Sequence, residues 1–185
     1  MKRNIGTTIS VFLCTLFLLS CSMKKYPINE YISEDIDVSF KTIFLYVSDY
    51  VEKNIGENYS LYQVNGQYSF DTMEFIEFVF TKRDERFNDV YFVKFYPERK
   101  QMNIKRQEEA QRLYGRDVEI DFEEWKIDII DIPQLKGELN FVYDTIDFHT
   151  VYDNVIVVNF MNNDEIVHTI DFDVKSNKIN SFERK

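Results

Sequence analysis

The segment "NVIVVNFMNNDEIVHTIDFDV", residues 154–174, decides the fold. In residues 154–161 and 165–174, apolar side chains recur at every second position, which is the period of a β-strand with one buried face. Residues 162–164 between them are Asn, Asn and Asp, which are typical of turns. A third strand is expected over residues 177–184, after a turn at 175–177. The end of the chain is therefore predicted to be an antiparallel sheet.

A similar pattern occurs 77 residues earlier. Residues 79–103 align with 156–180, and the apolar positions coincide as Val79/Ile156, Phe80/Val157, Val90/Val167, Val93/Ile170, Phe95/Phe172 and Met102/Ile179. Strands are predicted at residues 73–81, 89–96 and 101–106. The agreement predicts an internal duplication, although any two amphipathic hairpins align to some extent.

A helical period is expected before each block of strands. In the first half, apolar residues recur at intervals of three and four from Asp37 onward: Phe40, Ile43, Phe44, Val47, Val51 and Ile55. Asp35 or Asp37 is a candidate cap, and residues 54–56 are a plausible stop. In the second half, Asp131 is the predicted N-cap, with Gln134 three residues on and Pro133 in the first turn. The second stripe is Ile132, Leu135, Leu139, Val142, Tyr143 and Ile146.

Three connecting elements complete the prediction. Asn65-Gly66 is a strong signal for the turn of a two-residue hairpin. Residues 107–115 are predicted to form a short helix that ends at Gly115. From Asp117, alternation of Val118, Ile120 and Phe122 with acidic residues predicts a strand.

The second half resembles a PepSY-type domain. The resemblance is carried by "WKIDIIDIPQLKGEL", "VIVVNF" and "EIVHTIDFDVKSNKINSF". The family's last turn has Gly before Lys, whereas Asn177 precedes Lys178 here, and Asn also tolerates a left-handed backbone. The resemblance implies an α+β fold of two helix-on-antiparallel-sheet units, residues 37–112 and 117–185. Cystatin-like lipoproteins share this shape. PepSY-like domains imply non-catalytic, extracytoplasmic modules that bind or restrain other proteins.

The first 21 residues resemble the signal and lipobox of bacterial lipoproteins. Lys2 and Arg3 precede an apolar stretch from Ile9 to Leu19, which is too short to span a bilayer. Leu18, Leu19, Ser20 and Cys21 follow the lipobox order. The family implies cleavage between Ser20 and Cys21 and a diacylglyceryl thioether on Cys21, because multiple acyl chains anchor stably where one would be marginal. An ordinary signal peptide with a coincidental cysteine is the alternative.

The lipobox determines the expected location and the cysteine chemistry. Residues 21–36 are predicted to be a lipidated tether, on the extracytoplasmic side of a cell membrane or outer membrane. Because Cys14 leaves with the signal and Cys21 carries lipid, no disulfide, thiolate metal site or cysteine nucleophile is expected. Loss of Lys2 and Arg3 moves the formal charge from −10 to −12. Nucleic acid is therefore a poor partner.

No residue set predicts an active site, a metal site or a cofactor. His149 and His168 lack ligand spacing. The acidic set is predicted to be a solvated face: Asp117, Glu119, Asp121, Glu123, Glu124, Asp128 and Asp131. Trp125 is expected in the core beneath the second helix. The basic residues Arg99, Lys100, Lys105 and Arg106 are expected to guard a strand edge rather than to bind an anion.

The sequence therefore predicts a lipid-anchored, non-catalytic module that binds another envelope protein. Two alternatives stay open. One is an envelope enzyme that uses Asp and Glu of residues 117–131. The other is a small-ligand carrier with an aromatic cavity between helix and sheet.

Overall fold

One antiparallel sheet forms the body of the protein. The computed structural model describes residues 30–31, 38–82, 87–111, 120–152 and 154–183. The elements are β1 (Glu30–Tyr31), α1 (Phe40–Asn54), β2 (Ser60–Ser69), β3 (Thr72–Thr81), β4 (Phe87–Tyr96), β5 (Gln101–Gln111), a 3-10 helix (Ile129–Lys136), β6 (Thr145–Tyr152), β7 (Val155–Asn162), β8 (Glu165–Asp173) and β9 (Lys178–Glu183). Across the described residues the strands pair in the order β1-β5-β4-β3-β2-β6-β7-β8-β9.

The predicted fold of two helix-on-sheet units is wrong. Strands β2–β5 and β6–β9 each form a meander, but β2 pairs with β6 and merges the two meanders into one sheet. The physical reason is that the first strand of each meander would otherwise expose a row of unpaired backbone groups. Only one α-helix lies in the described part of the chain, so the structure is mostly sheet.

The prediction of a hairpin at Asn65-Gly66 is also wrong. Both residues lie inside β2, where Gly66 is opposite Phe148 of β6 and Ile76 of β3. The chain turns instead at Phe70 and Asp71, with Phe70 at φ 52°. Thr150 Oγ1 accepts a hydrogen bond from the Val64 amide at 3.0 Å, which extends the β2–β6 seam beyond its regular ladder. A tertiary partner therefore overrides a strong local turn signal.

Helix α1 follows its predicted stripe and packs on one face of the sheet. Phe40, Ile43, Val47, Tyr50 and Val51 are its buried residues. Ser39 is the N-cap and accepts from the Thr42 amide at 3.1 Å, whereas the predicted caps Asp35 and Asp37 lie outside the described residues. The helix ends at Asn54, inside the predicted stop.

The predicted second α-helix is wrong beyond its first two turns. Its apolar start forms the 3-10 helix, which ends where Gly137 adopts φ 56°. Leu139 and Val142 are consequently exposed, and Ile146 is buried in β6. The predicted N-cap was misplaced by three residues: Asp128 is the N-cap, and Asp131 completes its capping box. Pro133 and Gly137 explain the short helix, since neither residue favours continuation of an α-helix.

Two smaller predictions of secondary structure are also wrong. Residues 107–111, predicted as a connector helix, continue β5, while residues 112–115 lie outside the described part. Residues 120–128, predicted to continue a strand from Asp117, form a loop. Ile120, Phe122 and Ile127 are nevertheless buried. Their alternation reflects burial beneath α1 rather than strand pairing.

The other predicted strands are confirmed, at 73–81, 89–96, 101–106, 154–161, 165–174 and 177–184, with shifts of one or two residues at their ends and an extension of β5. The 77-residue offset places β4 on β8 and β5 on β9, but it places β3 across the end of β6 and the start of β7. The duplication stays a hypothesis. Asn177 adopts φ 57° in the last turn, as its sequence position predicts. Of the predicted tether, Glu30 and Tyr31 form β1 against β5. The signal and Cys21 lie outside the described residues.

The core fills one face of the sheet. Its fully buried members include Phe78, Phe148, Phe160, Phe172, Ile43, Ile76, Met102, Ile132, Ile146, Ile156 and Ile170. Burial of each such side chain contributes about 1.5–3 kcal/mol. The opposite face carries Asn65, Gln67, Glu77, Lys94 and Asp147, which form side-chain hydrogen bonds and an ion pair with one another or with neighbours. The sheet is therefore buried on one face and polar at these residues of the other. Val79 and Val90 are also buried on that second face, because they alternate with core residues Phe80 and Tyr91.

Asp128 joins α1 to the 3-10 helix, and its substitution tests that junction. One carboxylate oxygen, Oδ1, accepts from the Phe40 amide at 2.8 Å and from the Ile129 amide at 2.6 Å. We expect Asp128→Ala to lower the free energy of unfolding by about 1–3 kcal/mol, because buried donors lose their acceptor. Asp128→Asn keeps an oxygen acceptor and is the matched control. Equal urea midpoints for the Ala variant and the parent would contradict this role.

Candidate functional site

A concave space lies beside α1. It is a space of about 480 Å³ between α1, the start of β2 and residues 120–123. We call it the helix cleft. Its lining residues are Lys41, Phe44, Leu45, Ser48, Val51, Glu52, Gly56, Glu57, Tyr59, Ser60, Leu61, Phe80, Ile120, Asp121, Phe122 and Glu123. This volume falls within the range of small-molecule sites in proteins, roughly 300–1,000 Å³.

Aromatic rings form the base of the helix cleft. The ring of Phe44 is parallel to that of Phe80 at 6.5 Å between centroids, and it meets Phe122 edge-on at 5.1 Å. Phe44 can make these contacts because it lies four residues from Phe40, on the face of α1 that packs against the sheet. Phe80 and Phe122 are almost completely buried. The base is therefore a rigid apolar surface.

The rim of the helix cleft is mostly acidic. Glu52, Glu57, Asp121 and Glu123 are exposed there. The one lysine of the lining, Lys41, binds Glu123 at 2.9 Å, and both side chains are more than half exposed. Exposed ion pairs contribute at most about 1 kcal/mol, so this pair can open without a large cost. Leu45 is 56% exposed at the same rim and offers an apolar contact to an incoming group.

Ser48 supplies a polar group in the wall of the cleft. Its hydroxyl oxygen is buried, and it has no hydrogen-bond partner among the described residues. A buried polar group without a partner costs about 1–3 kcal/mol. A ligand group that donates to or accepts from this hydroxyl would recover that free energy. The cleft thus combines apolar walls with one hydrogen-bonding position.

The described residues of the acidic segment make separate contacts. Asp121 accepts from the Glu123 amide at 2.9 Å, and the Glu124 carboxylate pairs with Lys175. Asp128 and Asp131 are engaged in the capping box. Asp117 and Glu119 lie outside the described residues. Within 120–131, Asp121, Glu123 and Glu124 are exposed, as a solvated face requires.

The two histidines lie on opposite faces of the sheet. His149 is next to core residue Phe148 in β6, so it projects to the polar face. His168 is 5% exposed on the core face and stacks on Phe141 at 4.9 Å. Because the sheet separates the two rings, they cannot share a metal ion. No group of three His, Cys, Asp or Glu side chains in the described ranges is arranged to hold a metal.

Trp125 is partly buried and packs against the core, under a different helix from the one predicted. Its ring contacts Phe40 at 5.1 Å and Phe122 at 4.7 Å, both edge-on. Phe40 begins α1, whereas the prediction placed Trp125 beneath the second helix. The indole N–H is buried without a partner among the described residues. Trp125 therefore supports the loop that forms one wall of the helix cleft.

The basic cluster is spread along one sheet edge. Arg99 and Lys100 lie in the turn before β5, and Arg99 is over the Tyr96 ring at 5.4 Å. Arg106 pairs with Asp89 at 2.6 Å, while Lys105 is exposed on β5. Among the described strands, β5 has a second neighbour only at Gln101 and Met102, where β1 pairs with it. This arrangement fits the predicted role of guarding an edge.

Sequence reasoning missed the helix cleft because its walls are far apart in the chain. Residues 41–61, 80 and 120–123 meet only when the loop packs over α1. Two local signals were present. Ser48 interrupts the apolar stripe between Phe44 and Val51, and Leu45 lies off that stripe. A polar residue within the stripe and an apolar residue outside it are both unusual for a helix that only packs on a core.

Comparisons with known proteins show the fold alone. No family model matches the sequence, and no curated protein matches it. Among solved structures, the chain is similar to the crystal structure of a "putative lipoprotein" from Clostridium difficile 630. The TM-score is 0.53 at 10% sequence identity, and the match covers 81% of this chain and 97% of that one. In the described residues, no helix is long and apolar enough to cross a bilayer. The chain therefore has the fold of a protein described as a lipoprotein.

Proposed function

We propose that this chain is a lipid-anchored, extracytoplasmic and non-catalytic protein that binds a segment of another envelope protein in the helix cleft. The lipobox at Leu18–Cys21 supports the anchor, and the lipoprotein that shares the fold is consistent with it. The observation that carries the binding role is the helix cleft itself, an aromatic groove between helix and sheet with an exposed Leu45. Helix–sheet grooves of this kind accept side chains of a docked segment.

Substitution at the rim tests this role in the intact cell. We expect Leu45→Asp to reduce binding of the partner about thirtyfold, since the loss of burial of an exposed leucine side chain costs roughly 2 kcal/mol. Leu45 is exposed, so the same change should leave thermal stability within about 0.5 kcal/mol of the parent. Val38→Asp is the matched control, because Val38 is also exposed and does not line the cleft.

A photo-crosslinker identifies the partner for this test. p-Benzoylphenylalanine at position 45 of the full-length chain should yield one defined protein adduct, and an additional Ser48→Phe substitution that fills the cleft should abolish it. The same crosslinker at position 38 should give no such adduct. An adduct that persists with the cleft filled would contradict binding in the helix cleft.

A small-ligand carrier is the second candidate, and the orphan hydroxyl of Ser48 favours it. In this case the cleft would hold an amphipathic molecule with one hydrogen-bonding group. Native mass spectrometry of the protein purified from its own host would then show a bound mass. Ser48→Ala should weaken retention of that molecule by about fivefold, because one hydrogen bond contributes about 1 kcal/mol. A ligand-free spectrum together with a protein adduct from position 45 would reject the carrier.

A further inference from the structure

Four exposed apolar side chains belong to the segments that meet at the end of the sheet where β2 turns into β3, joined there by the Phe70–Asp144 and Asp71–Tyr143 hydrogen bonds. We call them the end patch: Phe70 is 62% exposed, Ile130 70%, Leu139 38% and Val142 77%. Only seven large apolar residues are exposed in the described ranges, and four of these belong to the end patch. Single exposed apolar residues are ordinary, but a cluster marks an interaction surface.

The backbone holds the end patch together. The Phe70 amide donates to the Asp144 carbonyl at 2.7 Å, and the Leu139 amide donates to the Lys136 carbonyl at 3.1 Å. The Tyr143 hydroxyl donates to Asp71 at 2.7 Å, and partial burial with this bond raises the pKa of Tyr143 to about 12. A depression of about 400 Å³ lies between Asp71, Ile130 and Tyr143. The patch is thus a built surface with a socket.

Phe70 lies in the β2–β3 turn with φ 52°, a conformation that bulky side chains rarely adopt. Its side chain is exposed to solvent at this turn.

Charges around the end patch select its partner. Asp71 follows Phe70 in the chain, Glu138 precedes Leu139, and the Asp144 carbonyl accepts from the Phe70 amide, while Lys136 lies over the Tyr143 ring at 4.9 Å. Three carboxylates against one ammonium leave the rim negative. A second copy would bring the same acidic rim, and an anionic lipid surface would also be repelled. A partner that carries Lys or Arg beside an apolar side chain complements this surface.

We propose that the end patch is a second docking surface, separate from the helix cleft, for a protein segment in which an apolar side chain is flanked by Lys or Arg. The apolar group would enter the socket beside Ile130, and the flanking cations would pair with the rim carboxylates. Binding through this surface is expected to weaken as ionic strength rises, because its charges are exposed.

Photo-crosslinking from the full-length, lipidated chain tests the proposal. p-Benzoylphenylalanine at position 130 or 142 should give a protein adduct, and mass spectrometry should place the linkage in a segment with an apolar residue beside Lys or Arg. The crosslinker at Lys105, which is exposed on edge strand β5 and lines neither the helix cleft nor this depression, is the control and should give none. Phe70→Asp should lower the adduct yield at least tenfold. Asp tolerates a left-handed backbone better than Phe, so this variant should remain folded.

Two further variants separate the possible outcomes. Glu138→Lys should lower the yield by reversing part of the rim, and Leu45→Asp in the helix cleft should leave it unchanged. A linkage to lipid, to a second copy or to an acidic segment would overturn the proposal, as would the absence of any adduct. Loss of the adduct in Leu45→Asp would show that the two surfaces act as one and would also overturn it.

Discussion

Substitution of Gly66 by Val is expected to prevent folding, and substitution by Ala to lower the free energy of unfolding by about 1–3 kcal/mol. A Cβ atom at Gly66 would overlap Phe148 Cε1 and Cζ and would lie 3.1 Å from the Phe75 carbonyl oxygen. Phe148 is 2% exposed and packs against Phe40 and Tyr68, so its ring has no free direction in which to move. Gly66 therefore lets β2 and β6 meet without a clash.

Urea denaturation of the purified protein would measure this effect. Gly137→Ala is the matched control, because nothing lies within 4 Å of a Cβ there and only its φ of 56° opposes the change. We expect the control substitution to lower the free energy of unfolding by about 1 kcal/mol. Replacement of the Phe148 ring by the smaller side chain of leucine should reduce the loss of unfolding free energy that Gly66→Ala causes, since residues in contact are energetically coupled. If Gly66→Ala left the free energy of unfolding unchanged, the close contact between β2 and β6 at Gly66 would be contradicted.

Replacement of Cys21 by Ser is expected to abolish incorporation of labelled palmitate. The proposed lipobox would place the acyl chains on this sulfur, and a hydroxyl is a much weaker nucleophile than a thiol. Each buried methylene of an acyl chain contributes about 0.8 kcal/mol to membrane binding, so loss of the chains removes the anchor. The protein should then be released from membranes wherever the signal has been cleaved.

Cys14→Ser is the matched control for the anchor. Cys14 lies within the apolar part of the signal and should leave with it, so labelling should be unchanged. Equal labelling of the Cys21→Ser variant and the parent would remove the basis for the anchor. Label lost from both variants would indicate a defect in export rather than in lipid attachment.

Much of the fold was predictable because most elements follow their local period. The α1 stripe from Phe40 to Val51 and the alternation of β3, β4, β7 and β8 were each sufficient to identify the element. Strand β6 was missed because Ile146 also fits the helical spacing of Leu139 and Val142. The alternation of Ile146, Phe148 and Thr150, all buried, was the signal that could have identified it.

The remaining errors arise where distant partners decide the structure. Asn65-Gly66 has the composition of a turn, but Phe148, more than 80 residues away, requires glycine at that point in a strand. The union of both meanders into one sheet depends on the same contact. The helix cleft and the end patch likewise assemble from separate segments. Local sequence patterns carry no information about contacts between segments that are distant in the chain, so the candidate sites could be identified only from the structure.

The mass of the native protein tests the account most directly. Purified from its own host and analysed intact, the protein should have the mass of residues 21–185 plus a diacylglyceryl group, with or without a further acyl chain on the amine of Cys21. Fragmentation should place the added mass on Cys21. A chain that begins at another residue, or a free thiol at Cys21, would contradict the anchored location and with it the proposed role at the envelope.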